Sequence, residues 1–175
     1  MKYEPIDKQI KNLIESINAM PEQVAQASIF ALNRVAEWLK GRVSQEVSKE
    51  KRIKLKLIRD RISIMRANKK KTEAALNCNF RGILVKDLAS VRQTATGVTA
   101  GGASYPHAFI ATLKPGGKPG VYRRTSKKRF PVRSVRIEIY DEAEKIITEL
   151  LGKEARDVFE KRFLHEIQRM TGALA

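Results

Sequence analysis

Arg61-Ile62-Ser63-Ile64-Met65-Arg66 alternates polar and apolar side chains, the period of a half-buried strand. This stretch decides the fold because the hydrophobic pattern changes there. Upstream of it apolar residues recur at helical spacing. Downstream they come in short runs separated by turn residues. Asn68-Lys69-Lys70-Lys71 reads as a turn, and Glu73 to Phe80 reads as the returning strand.

Working upstream, Val24, Ala27, Ala31, Val35, Trp38, Leu39, Val43 and Val47 form one stripe and predict a helix from Pro21 to about Lys49. Pro21 suits a first helical turn, and Glu22 lies near the positive end of the dipole. Ala25, Ala27, Ser28, Ala31 and Ala36 crowd the first half, which lets another backbone come close. Trp38 reads as a core anchor. Gly41 is a weak point, costing about 1 kcal/mol against Ala. Before this helix, Ile6, Ile10, Leu13, Ile14 and Ile17 follow Pro5 at helical spacing and predict a further helix, broken at Asn18-Ala19-Met20-Pro21. Lys51 to Arg61 reads as a basic turn of helix or loop, with Leu55, Leu57, Ile58 and Ile62 as its apolar contacts.

Downstream, Arg81-Gly82 turns, and Val91 to Ala100 reads as a short hairpin or a strand with a Gly-containing turn. Gly101-Gly102-Ala103-Ser104 reads as a flexible connection. His107 to Leu113 is a strand, joined by the wide loop Pro115 to Gly120 to Val121-Tyr122-Arg123-Arg124. Ser126-Lys127-Lys128-Arg129 turns, and Pro131 to Tyr140 is strand-like. Asp141 is placed to cap a helix carrying Ala143, Ile146, Ile147, Leu150 and Leu151. A last amphipathic helix after Gly152 carries Ala155, Val158, Phe159, Phe163, Ile167 and Met170. Helices, then short strands, then helices predict an α+β fold. A long N-terminal helix and C-terminal helices would pack on a twisted antiparallel sheet with extended hairpin loops. Residues 1–20 read as a helical extension and residues 21–175 as a single α+β domain.

Charge is concentrated in the middle of the chain. Between Lys51 and Arg136 stand 22 Lys and Arg side chains against 3 acidic ones, Asp60, Glu73 and Asp87. The flanks are neutral or slightly acidic, and the whole chain carries +16. One basic segment between such flanks predicts a surface for a polyanion, nucleic acid being the usual candidate. Its candidate contact residues are Lys54, Lys56 and Arg59, then Lys69, Lys70 and Lys71, then Arg123, Arg124, Lys127, Lys128, Arg129 and Arg133. Phosphate contacts by such side chains are sequence-independent and salt-sensitive. Aromatic residues are sparse there (Phe80, Tyr105, Phe109, Tyr122, Phe130), which is poor for a base-stacking platform. No helix-turn-helix, zinc-finger or RNA-recognition signature is present. By composition, contact with nucleic acid and contact with an acidic protein stand equal.

The same segment is nearly free of the carboxylates that a metal-dependent nuclease or an acid–base hydrolase uses. His107 and His165 pair with no cysteine, second histidine or carboxylate at metal-ligand spacing. Gly101-Gly102 and Gly116-Gly117 do not form a phosphate loop. No catalytic residue, cofactor or metal is expected, so the chain reads as a non-enzyme. Cys78 is the one cysteine, which excludes a disulfide framework and reads as a small buried hydrophobe in a strand. The N-terminus lacks the apolar core of a secretory signal, and no run is long enough for a membrane span, so no membrane association is expected.

Several pieces in order carry a family resemblance: Ala31-Leu32-Asn33-Arg34, Ile58-Arg59-Asp60-Arg61-Ile62, Arg81-Gly82-Ile83, Lys86-Asp87-Leu88, and Arg92-Gln93-Thr94 with Gly97-Val98. They continue with Tyr105-Pro106-His107-Ala108-Phe109-Ile110-Ala111-Thr112-Leu113, Val121-Tyr122-Arg123-Arg124 and Lys128-Arg129-Phe130-Pro131-Val132. This set resembles the minor tail protein Z family of tailed bacteriophages and prophages, from Ala31 to about Val135. Val132 to Ile137 departs from the expected short Gly/Pro-containing segment, and the helix from Pro5 to Asn18 lies outside the resemblance. The resemblance implies a tail-completion-like, neck-like domain with a virion structural role. It implies other phage tail and neck proteins as partners, a homo-oligomeric ring near the DNA path, non-specific DNA contact, and no catalytic residues. The expected location is the virion tail, and the host cytoplasm during assembly. The alternative is a free-standing, non-specific nucleic-acid-binding protein, whose affinity would fall steeply with salt.

Overall fold

The computed structural model describes residues 21–172. The helix expected between Pro5 and Asn18 lies outside them. The elements in order are α1 (Pro21–Lys51), α2 (Leu55–Arg59), β1 (Ile62–Met65), β2 (Ala75–Cys78), β3 (Ile83–Leu84) and a 3₁₀ turn (Val85–Asp87). There follow β4 (Arg92–Gln93), β5 (Gly97–Ala100), β6 (Ala103–Pro106), β7 (Ala108–Ala111), β8 (Gly120–Arg124), β9 (Val132–Ser134), β10 (Arg136–Ile137), α3 (Tyr140–Lys153) and α4 (Ala155–Thr171). The fold is α+β, with the long N-terminal helix, the C-terminal helices and antiparallel strands that the sequence predicts.

The strands form four small sheets, β1-β2, β10-β3, β4-β5-β6 and β7-β8-β9, where one twisted sheet was expected. The breaks have local causes. Between β6 and β7 the chain turns at His107, whose backbone is left-handed at φ 60° and whose amide donates to the Thr96 carbonyl at 2.9 Å. His107 therefore precedes the strand it was expected to open. Between β9 and β10, Val135 donates its amide to Val121 while its carbonyl accepts from Val85, so one residue serves two sheets.

Two compact units emerge. The first combines residues 21–40, 63–77 and 148–172. Its core is Ala27, Ala31, Phe163 and Ile167, with Val24, Phe159 and Met170 packed against them. The small Ala27 and Ala31 give α4 its close approach to α1, and Phe159 and Phe163 stack with centroids 5.8 Å apart. Gly172, left-handed at φ 74°, ends α4 by donating its amide to the Gln168 carbonyl. Trp38 is half-buried rather than a fully enclosed anchor.

The second unit holds residues 41–62 and 78–147. It buries Val43, Val47, Ile53, Ile58, Ile83, Val85, Val98, Val121 and Ile139. Lys51 at the end of α1 pairs with Glu142 in the first turn of α3. Asp141 lies inside that turn instead of capping it, because α3 starts at Tyr140. Gly101 and Gly102 are not a flexible connection. At φ 60° and 80° they make a two-residue turn that pairs Ala100 with Ala103, a geometry that needs left-handed backbone at both positions. Gly97 allows the tight β5–β6 approach, since a Cβ there would lie 2.2 Å from the Tyr105 carbonyl oxygen.

Candidate polyanion-binding surface

The β8–β9 hairpin gathers six of the predicted contact residues: Arg123, Arg124, Lys127, Lys128, Arg129 and Arg133. Its root is apolar. Val121 is buried, Phe109 on β7 faces Tyr122 with ring centroids 6.3 Å apart, and the Tyr122 ring lies back over Gly120. Glycine at 120 leaves room for that ring, since a Cβ would sit 2.6 Å from the tyrosine oxygen and the ring would have to shift. Two residues beyond Tyr122, Arg124 holds its guanidinium carbon 5.7 Å from the Phe109 centroid, a cation–π contact that braces the side chain.

Beyond the root the hairpin is polar and exposed. The Thr125 amide and hydroxyl both donate to the Pro131 carbonyl, at 3.2 and 3.0 Å, and close the loop that carries Lys127, Lys128 and Arg129. Arg129 lies over Phe130, which is 58% exposed. Arg123 and Arg133 face each other across the β8–β9 ladder. Like charges directly opposite repel, and among the described residues neither arginine has an ion-pair partner. The chain offers none nearby in sequence, since no Asp or Glu lies between Asp87 and Glu138.

The other six predicted residues are placed elsewhere. Lys54, Lys56 and Arg59 flank or lie on α2, exposed around the buried Ile58. Lys69, Lys70 and Lys71 occupy the β1–β2 turn, in the first compact unit. Asn68 shapes that turn by accepting the Lys70 and Lys71 amides on its Oδ1 at 2.9 and 3.0 Å. Lys71 also pairs with Glu73 at 3.3 Å, which partly neutralises it. All twelve side chains belong to exposed residues. Several neighbouring cations are structural: Arg61 donates to the Arg81 carbonyl, Arg136 to the Gly82 carbonyl, and Lys51 pairs with Glu142.

Two residues shape the sheets around this surface in ways the sequence did not mark: Gln93, and Gly82, which it placed only in a turn. Gln93 donates from Nε2 to the Gly97 carbonyl at 2.7 Å and accepts the Ile110 amide on Oε1 at 2.8 Å. Its side chain thus joins the β4-β5-β6 sheet to the outer edge of β7, the strand on which β8 is built. The signal was the quoted Arg92-Gln93-Thr94 piece, which marks a position without saying what it does. Gly82 is the other. A Cβ there would meet the Arg136 Cβ and the Ile137 carbonyl at 3.0 Å, so glycine lets β3 and β10 close.

The remaining chemistry is sparse. Cys78 is half-buried, and burial pushes its thiol up, away from the reactive thiolate. Among the described residues no group of three or more His, Cys, Asp or Glu side chains is placed to hold a metal ion, and no helix is long and apolar enough to cross a membrane. Two grooves, one lined by Glu22, Gln26, Ile29 and Lys69 and one by Phe30, Arg34, His165 and Arg169, lie in the first unit.

Comparison with known proteins gives a consistent result. Residues 6–171 match the family described as prophage minor tail protein Z. The chain is similar to the tail completion protein of Escherichia phage N15, 33% identical over 144 residues that span 75% of this chain and 78% of that one. It is also similar to tail completion protein Z of Escherichia phage lambda, 24% identical over 149 residues, 74% of this chain and 78% of the relative. No solved structure matches. A family match over nearly the whole length, together with a relative above 30% identity, means that this chain belongs to the prophage minor tail protein Z family.

Proposed function

We propose that this protein is a structural component of a phage or prophage tail that completes the tail so that a head can join it. It acts by binding other tail and neck proteins, without catalysis. It sits in the virion tail after passing through the host cytoplasm during assembly, and it works as a homo-oligomeric ring near the DNA path. The observation that carries the role is the family match over residues 6–171, with two relatives named for tail completion. The carboxylate-free β8–β9 hairpin supports the placement near DNA, because its exposed cations suit sequence-independent phosphate contact.

The test is deletion of the gene from the phage that carries it, followed by electron microscopy of the lysate and mass spectrometry of tails separated from heads. Unjoined heads and tails in the deletion, with the protein present in wild-type tails, is the expected result. Joined, infectious particles from the deletion, or absence of the protein from particles, would overturn the role and favour a free-standing nucleic-acid binder.

A further inference from the structure

We propose that the tip of the β8–β9 hairpin docks onto an acidic protein of the tail, with Phe130 as its apolar anchor and Lys127, Lys128 and Arg129 as its charged rim. This docking rests on the tail-completion reading above and adds the surface and the chemistry of the partner.

Two observations carry it. First, Phe130 is 58% exposed, more than any other large hydrophobic side chain among the described residues. Its surroundings hold it in place. The Thr125 amide and hydroxyl both donate to the carbonyl of the next residue, Pro131, and the Arg129 guanidinium carbon lies 5.9 Å from the ring centroid. An aromatic ring beside an arginine is the pairing that protein interfaces use as an anchor: a pocket takes the ring out of water while the guanidinium pairs with a carboxylate at its edge. Second, Lys127, Lys128 and Arg129 have no ion-pair partner among the described residues, and no Asp or Glu stands between Asp87 and Glu138 to supply one nearby in sequence. The Lys128 amide donates to the Ser126 hydroxyl at 3.3 Å, which shapes the loop and leaves its three charges to an outside partner. Complementarity therefore calls for carboxylates around an apolar pocket.

An acidic protein fits this tip better than duplex DNA. A sugar–phosphate backbone offers no pocket for a ring, and reaching between bases costs unstacking. In the reading above the tail is completed before a head brings DNA to it, so the groups that act in completion meet protein. Arg123 and Arg133, opposed on the strands below the tip, remain for phosphate contact.

The experiment is co-sedimentation of the purified full chain with tails isolated from the gene-deletion lysate, across a salt series. Binding of a short DNA duplex is measured in parallel. Three variants are compared with the wild type: Phe130→Ala, the triple Lys127→Gln with Lys128→Gln and Arg129→Gln, and the pair Arg123→Gln with Arg133→Gln. Circular dichroism establishes that each is folded. The wild type should bind tails, less tightly as salt rises. Phe130→Ala should bind tails about 30-fold more weakly, the loss expected of an interface anchor, with its duplex binding unchanged. The triple variant should also lose tail binding, whereas the strand pair should keep it and bind duplex more weakly. Phe130→Ala binding tails like the wild type would overturn the anchor and with it the docking. Tail binding that ignores salt would overturn an acidic partner. A triple variant that loses duplex but keeps tails would assign the tip to DNA instead. Wild type that does not sediment with tails would overturn the docking by itself; unjoined heads and tails in the deletion would still leave the tail-completion reading standing.

Discussion

Asn33 and Ala67 pair as two strands would: the Asn33 Nδ2 donates to the Ala67 carbonyl at 3.1 Å, and the Ala67 amide donates to the Asn33 Oδ1 at 2.8 Å. One side-chain amide on α1 thereby satisfies both backbone groups of a buried residue just after β1. Glu37, one helical turn later, repeats the tie by accepting Arg66 at 2.6 Å. Replacing Asn33 by Ala strands the Ala67 amide and carbonyl, a loss of about 2–3 kcal/mol. Urea unfolding checks the size. Faster hydrogen exchange at Ala67, with little change at Val121, checks that the damage is local.

Gln93 permits a sharper test. In Gln93→Glu the Ile110 amide keeps its acceptor, but the donor facing the Gly97 carbonyl becomes an anion. The carbonyl disfavours the charged form, so the folded pKa of the new carboxyl rises above its unfolded value. Stability relative to wild type is then highest below the unfolded pKa, where a protonated carboxyl still donates. It is lost as pH rises through the folded value. Thermal melts of Gln93→Glu and Gln93→Ala from pH 4 to pH 8 should show the Glu variant falling behind as pH increases. Parallel curves would show that this side chain does not bridge the sheets.

Glycines at two positions should respond oppositely to alanine. In Gly97→Ala the new Cβ would meet the Tyr105 carbonyl oxygen at 2.2 Å, and backbone must move, which costs about 1–3 kcal/mol or more. In Gly41→Ala nothing lies within 4 Å and the site is inside α1, so the variant gains about 0.5–1 kcal/mol. Denaturant midpoints of the two variants, measured side by side, check both signs.

Acid sensitivity follows from Glu142. The hydrogen bond from Lys51, then that from the backbone, holds its carboxyl below the ordinary carboxylate range. A lowered folded pKa means that the contribution is intact above the unfolded value and is lost as pH falls through the folded one. Glu142→Gln should therefore lose less stability than wild type between pH 6 and pH 3. Glu37→Gln should behave alike, because Arg66 lowers the Glu37 carboxyl in the same way. Acid titrations of unfolding that superimpose on wild type would remove these pairs as a cause.

Arg133→Glu turns a repulsive cross-strand pair into an attractive one, because Arg123 lies directly opposite. The expected gain in stability is about 0.2–1 kcal/mol, together with weaker binding of duplex DNA. Salt discriminates further: added NaCl should stabilise the wild-type hairpin by screening and should do less for the variant. Hydrogen exchange within β8 and β9 across a salt series reads this directly.

The elements that were legible from sequence are those written in local pattern. The stripe from Val24 to Val47 predicted α1, and the alternation at Ile62 and Ile64 predicted β1. The apolar positions from Ala155 to Met170 predicted α4. The exposure of the basic residues followed from their charge, since a lone cation is costly to bury.

What the sequence alone determined, then, is the helices, most strand positions, the α+β class and the basic middle of the chain, because periodicity and charge are properties of neighbouring residues. Tertiary structure decided the rest. It divided the strands among four sheets, set Gly101 and Gly102 in a tight turn, and opposed Arg123 to Arg133. It separated Lys69–Lys71 from the other predicted cations into a different compact unit, and it gave Asn33 and Gln93 their backbone partners. Each of these depends on which distant residue supplies a hydrogen bond or a register. That choice is made by the packing of the whole chain, because a polar side chain can satisfy its donors and acceptors with any backbone that folding brings to it.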